Sequence, residues 1–121
     1  MNFDEKINIL WVDDEIELLK PHIIFLEKRG YKIVTANNGL AGLDLIKKQH
    51  FDLILCDIKM PKKDGIEVLD FIRNHTPATP VVMISGHGNL ETAVQAMRMG
   101  AFDYISKPPD LNHLLSTVKV P

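Results

Sequence analysis

Five short apolar runs, each followed by a segment with helical spacing, constrain the fold of this 121-residue chain more than any other feature. The runs are Ile7–Val12, Lys32–Ala36, Leu53–Cys56, Val81–Ser85 and Phe102–Ile105. Four are strongly apolar, as strands covered on both faces must be. The second is weaker and suits a sheet edge. Between the runs, apolar residues recur at helical intervals: Ile16, Leu19, Ile23 and Leu26; Gly65, Val68, Leu69 and Ile72; Leu90, Val94 and Met97 around Ala93; Leu111, Leu114, Leu115 and Val118. Strands alternating with helices imply parallel pairing through right-handed crossovers. The expected fold is an open, doubly wound α/β domain with a five-stranded parallel sheet in a (βα)5 arrangement.

Local signals punctuate this pattern. Asp64 and Asp110 are placed to cap the third and fifth helices, and Gly30 to end the first. Gly42 weakens the segment Gly39–Lys48 as a helix. Pro21 should kink the first helix or delay its regular start.

The acidic residues fall where such a fold would gather them. Asp13 and Asp14 follow the first run, and Asp57 follows the third. In parallel sheets of this kind, ligands bind at the carboxyl ends of the strands. Ser85 and Lys107 also lie at or just past strand ends, so five polar residues share one predicted edge. Three close carboxylates repel, and such a site needs a cation, a raised pKa, or both. A hard divalent ion with oxygen ligands answers that need, and magnesium suits a site that handles phosphate.

A carboxylate at Asp57 can attack a phosphoryl group and form an acyl phosphate. The magnesium ion and the Lys107 ammonium would neutralise the transferred charge. Asp13 and Asp14 would hold the ion, and Ser85 would offer a hydroxyl to a phosphoryl oxygen. Each residue taken singly has a plainer explanation: Asp14 as a helix cap, Asp57 as a solvated turn carboxylate, Lys107 as a surface charge. Their common placement at the ends of four strands argues for one composite site.

Composition bounds the rest. A 45% hydrophobic and 25% charged chain of this length fits one soluble globular domain. The formal net charge of -2, with no basic stripe or recognition-helix motif, gives no expectation of direct nucleic-acid binding. One cysteine permits no internal disulfide and fits a reducing cytoplasm. No run reaches membrane-spanning length, and the charged N-terminus is unlike a signal peptide. The ending at Lys119-Val120-Pro121 reads as a domain boundary, with further domains expected beyond it. Cys56 alternates away from the Asp57 side chain and reads as a core residue. The five histidines show no metal-ligand spacing.

These motifs resemble the receiver domain of bacterial two-component response regulators. Leu10-Trp11-Val12-Asp13-Asp14-Glu15 is similar to the family's acidic-pair motif, and Cys56-Asp57-Ile58-Lys59-Met60-Pro61-Lys62-Lys63-Asp64-Gly65 to its phosphoacceptor segment. Val82-Met83-Ile84-Ser85-Gly86 resembles the switch-hydroxyl strand, and Tyr104-Ile105-Ser106-Lys107-Pro108 the lysine-proline segment. The match spans nearly the whole chain, in order and at family spacing. The stretch from Ser85 to Met97, with Gly100-Ala101-Phe102-Asp103-Tyr104, is similar to receivers of the nitrogen-regulator class, which often precede an ATPase domain and a helix-turn-helix.

The resemblance implies that Asp57 accepts phosphate from a sensor histidine kinase or a histidine phosphotransfer protein. It implies that Asp14, Asp57 and the Lys59 carbonyl contact magnesium (or manganese), with Asp13 acting through water. Lys107 would pair with the phosphoryl group, Ser85 would swing toward it, and Tyr104 would turn inward. The Lys107–Pro108 bond would be cis. Lys59 and His87 would tune phosphate lifetime. The whole chain, residues 1–121, would be the N-terminal receiver of a longer regulator. It would control an output domain, with transcription as the expected target. The readout surface would be the fourth helix, fifth strand and fifth helix, with a homodimer through it as one outcome.

Two other functions fit the residues less well. An aspartyl-nucleophile phosphohydrolase usually carries Asp-x-Asp after its first strand and a cap domain, and neither is present here. A non-phosphorylated adaptor would have lost acids or the lysine, and this chain keeps all of them.

Overall fold

The computed structural model describes residues 6–60, 64–86 and 90–119. Five parallel strands form one sheet in the order β2-β1-β3-β4-β5. They are β1 (Ile7–Val12), β2 (Tyr31–Ala36), β3 (Leu53–Asp57), β4 (Val81–Ser85) and β5 (Asp103–Ser106). The helices are α1 (Lys20–Glu27), α2 (Gly39–Lys48), α3 (Gly65–His75), α4 (Leu90–Arg98) and α5 (Leu111–Lys119). The expected doubly wound parallel architecture is therefore present, with the weakly apolar β2 at an edge. β5 begins and ends one residue later than its apolar run suggested, because Phe102 only donates its backbone N–H to Val81 (2.7 Å) before pairing proper starts.

Side-chain alternation along the strands builds two cores. Leu10, Val12, Ile54, Cys56, Val81 and Met83 face α2, α3 and α4. Ile9, Trp11, Leu53, Leu55, Val82 and Ile84 face α1 and α5. Trp11, the one tryptophan, is fully buried, and its indole N–H has no hydrogen-bond partner among the described residues.

Helix boundaries follow from the capping chemistry. Asp64 accepts from the Glu67 N–H at 3.0 Å, and Glu67 reaches back to the Asp64 N–H in a capping box. Asp110 accepts from the His113 N–H at 2.9 Å at the start of α5. A 3-10 turn, Ile16–Leu19, precedes α1, whose first turn contains Pro21. The proline thus delays the regular helix rather than kinking it, since its missing N–H costs nothing in a first turn. Gly30 closes α1 at φ +95°. Gly42 does not break α2. A Cβ there would sit 2.9 Å from Val12 Cγ2, so the glycine lets α2 pack tightly onto β1.

α4 departs from the simple amphipathic expectation. Its buried residues are Ala93 and Ala96, while Leu90, Val94 and Met97 are 73%, 43% and 44% exposed. The small alanines seat the helix against the sheet, and its larger apolar residues form a stripe in solvent.

Candidate functional site

The strand ladders bring the chemistry to one edge. Val12 pairs with Cys56, Asp57 with Ile84, and Ser85 with Ser106. Asp13 continues the face of Ile9 and Trp11, and Asp57 that of Leu53 and Leu55, so both point to the α1–α5 side. The Asp13 N–H is held by the Ala36 carbonyl at 3.0 Å. Its Oδ1 accepts from the Glu15 N–H at 2.8 Å, which fixes the turn after β1. Asp13 is fully buried, Asp57 is 4% exposed, and Asp14 is exposed. One carboxylate oxygen from each lies within 4.8 Å of the others.

Lys107 reaches into this group from the end of β5. Its Nζ lies 3.0 Å from Asp13 Oδ2, 3.0 Å from Glu15 Oε1 and 3.3 Å from Asp57 Oδ2. Its backbone N–H is anchored on the Ser85 carbonyl at 2.7 Å. Among the described residues one ammonium faces four acids, Asp13, Asp14, Glu15 and Asp57, and the electrostatics show the imbalance. Burial, then the charge of Asp13, push Asp57 up to about 7 despite the opposing pull of Lys107. Burial also raises Asp13, against its bonds to Glu15 and Lys107. Burial alone would lower the Lys107 pKa, but the bonds to Glu15 and Asp13 and the charge of Asp57 outweigh it and hold it above its ordinary value.

The donor set fits a hard cation. All the clustered ligand atoms are carboxylate oxygens. Asp13 Oδ2 is buried with an ion-pair partner but no hydrogen bond among the described residues. A divalent ion would relieve the repulsion that lifts Asp57 and Asp13.

The other residues singled out from sequence take distinct positions. Ser85 is 1% exposed, and its hydroxyl donates to the Gly86 carbonyl at 3.0 Å rather than to an acid. Lys59 has an exposed side chain, two residues past Asp57. Tyr104 is partly buried on the α4 side, beside a groove lined by Leu90, Ala93, Val94, Met97 and Arg98. The Lys107–Pro108 bond is cis. Cys56 is buried on the opposite face from Asp57, and burial pushes its thiol up. His87 lies outside the described residues.

Two contributors escaped the sequence reading. Glu15 supplies a third carboxylate partner to Lys107; its signal was the unbroken acidic run Asp13-Asp14-Glu15. Gly65 is the other. Its N–H donates to the Ile58 carbonyl at 2.7 Å, and a Cβ there would collide with the Asp57 carbonyl and come within 2.7 Å of Ile58 Cα. Only glycine lets α3 start directly behind the Asp57 backbone.

This fold and edge define a response regulator receiver domain. Residues 9–119 match the family model described as "Response regulator receiver domain", and the chain belongs to that family. It is similar to the transcriptional regulatory protein ZraR of Klebsiella oxytoca, 40% identical over 114 residues, covering 94% of this chain and 26% of the relative. The regulatory protein AtoC of Escherichia coli K12 is 42% identical over 106 residues, with 88% and 23% covered. The chain therefore spans about a quarter of the length of these curated relatives. Among solved structures, the receiver domain of NtrX from Brucella abortus superposes with a TM-score of 0.86 at 39% identity, covering 92% of this chain and 94% of that one. A CheY-like receiver protein from Methanospirillum hungatei gives 0.89 at 34% identity, with 95% and 92% covered. Among the described residues, no helix is long and apolar enough to cross a membrane.

Proposed function

We propose that this receiver takes a phosphoryl group onto Asp57 from a phosphohistidine on a sensor kinase or phosphotransfer protein, and that the modification switches an attached output domain. The observation that carries the reading is the Asp57 carboxylate, buried beside Asp13, with Lys107 Nζ 3.3 Å from its Oδ2. An Asp57 oxygen attacks phosphorus as the donor's P–N bond breaks, and the leaving imidazole takes a proton from water. Lys107 turns from Asp57 Oδ2 to the new phosphoryl oxygens. Asp14, Asp57 and the Lys59 carbonyl would hold magnesium, or manganese in its place, with Asp13 acting through water. Such an ion supplies charge neutralisation, both for the carboxylate that must ionise and for the incoming phosphoryl oxygens.

The modification adds nearly two negative charges at the edge. Ser85 exchanges the Gly86 carbonyl for a phosphoryl oxygen, and Tyr104 moves into the space released on the α4 side. Met83 faces Tyr104 across the β4–β5 ladder, and both lie on the side of the sheet that Ser85 shares. The state with these bonds gains population because only it makes them. Lys59 and His87 set water access to the phosphoryl group and so its lifetime. The exposed stripe Leu90, Val94 and Met97 supports α4, β5 and α5 as the readout face, whether for the output domain or for a second copy. The name of the longer relative ZraR, a transcriptional regulatory protein, favours transcription regulation as the output. The reactions take place in the cytoplasm.

Magnesium-dependent reaction with acetyl phosphate, mapped by mass spectrometry, tests the reading. One phosphoryl group per chain is expected on Asp57, and none in Asp57→Asn. Equal labelling of both proteins would falsify it, and sustained turnover of phosphate esters would return the hydrolase.

A further inference from the structure

The segment that carries Lys107 is unusually short of backbone donors. Lys107 is tied to β4 through its N–H on Ser85, and Asp110 opens α5 by capping it. Between them stand Pro108 and Pro109, which have no N–H to donate. Their carbonyls are the means left for fastening this turn to its surroundings. Pro109 is buried, so its carbonyl is cut off from water and needs a partner. The partner is His22 on α1, whose Nε2 lies 2.9 Å from that oxygen. A carbonyl can only accept, so the neutral ring must carry its proton on Nε2. His22 Nδ1 is buried with no hydrogen-bond partner among the described residues, which leaves the ring no second use for its polar atoms. The same imidazole lines a cleft with Glu15, Leu18, Gly86, Lys107 and Pro108, next to the acidic edge.

We infer that His22 is a positioning residue for phosphoryl transfer: by clasping the Pro109 carbonyl it holds the Lys107-Pro108-Pro109 turn against α1 and so sets the reach of Lys107 Nζ to Asp57. The inference rests on Asp57 being the phosphoacceptor. Lys107 serves two ends at once, the backbone anchor on Ser85 and the ion pairs at its tip. With the turn released on its far side, the ammonium loses its fixed approach while the acids that hold the metal keep theirs. Positioning is where small displacements cost most rate.

The test compares wild-type protein with His22→Phe, which keeps a ring but no donor, and His22→Gln, whose amide can donate again. All are labelled over a range of acetyl phosphate concentrations at saturating magnesium, and over a range of magnesium concentrations at saturating acetyl phosphate; the small donor avoids any contact that a kinase makes with α1. His22→Phe should lower the limiting labelling rate about tenfold, with the half-saturating magnesium concentration unchanged, and His22→Gln should recover most of the rate. A Phe variant that labels at the wild-type limiting rate, or a Gln variant as slow as Phe, would overturn the inference. Failure of the wild-type protein to label would instead remove the phosphoacceptor reading. In that event the nitrogen shifts of the neutral His22 ring still decide the clasp: a proton on Nε2 supports it, and a proton on Nδ1 refutes it.

Discussion

At the scale of single residues, Asp57 is held against its own ionisation. Burial and the charge of Asp13 raise it to about 7, well above the value it takes in an unfolded chain. Between those two values the folded state binds the proton more tightly than the unfolded state does. Its stabilising contribution is therefore complete at low pH and is lost as pH rises through about 7. In chelator at pH 8, Asp57→Asn should be more stable than the wild type by roughly 2 kcal/mol, and the gap should close towards pH 4. Urea denaturation at the two pH values measures it; a gap of the same size at both would contradict the burial argument. Lys107 limits the effect, because the asparagine also gives up its ion pair. The sequence made the acids, the lysine and the serine legible, since each ends or follows an apolar run. It left Glu15 and His22 without roles because their partners lie 92 and 87 residues away. His22 has no local pattern to announce it, and Glu15 only the acidic run it shares with Asp13 and Asp14.

At the scale of elements, two glycines decide how closely helices approach strands. Gly65 faces backbone, the Asp57 carbonyl and Ile58 Cα, which cannot step aside without moving β3. Gly42 faces the buried Val12 side chain rather than backbone, so a methyl there displaces one side chain and not a strand. Gly65→Ala should therefore destabilise the domain by about 3 kcal/mol and slow labelling at Asp57, whereas Gly42→Ala should cost about 1 kcal/mol and spare the labelling rate. Chemical denaturation and acetyl phosphate kinetics on both variants check the contrast. From sequence, Gly42 argued against a helix, because intrinsic propensity was visible and the approach of Val12 was not. α4 shows the same limit in reverse. Its period was legible, but which face met the sheet was settled by Ala93 and Ala96, residues too small to stand out beside Leu90, Val94 and Met97.

At the scale of the whole molecule, fold and site share one design. The order β2-β1-β3-β4-β5 sets β1 and β3 side by side at its centre, so their terminal acids crowd together. The alternation of two-sided apolar strands with helices made the parallel sheet readable in advance, whereas the strand order is seen only in the structure. The crowding has a thermodynamic signature. Any ion that binds only the folded cluster adds RT ln(1 + [L]/Kd), about 2.7 kcal/mol at a hundredfold excess over Kd. Magnesium should raise the thermal midpoint in a concentration-dependent way, and chelator should reverse it. Asp13→Asn should bring the magnesium-free midpoint closer to the saturated one by removing a competing charge. A midpoint indifferent to magnesium would mean the acids are balanced by Lys107 alone.

Trp11 gives this edge a built-in optical reporter. Its indole is sealed in the α1–α5 core two positions before Asp13, on the same strand face. As the sole tryptophan, it makes the protein's emission a single-site signal from that strand. Under the proposed function, cation entry or acyl phosphate formation at Asp57 should change this emission, and stopped-flow fluorescence on unlabelled protein would time it with no dye to perturb the surface it reports on.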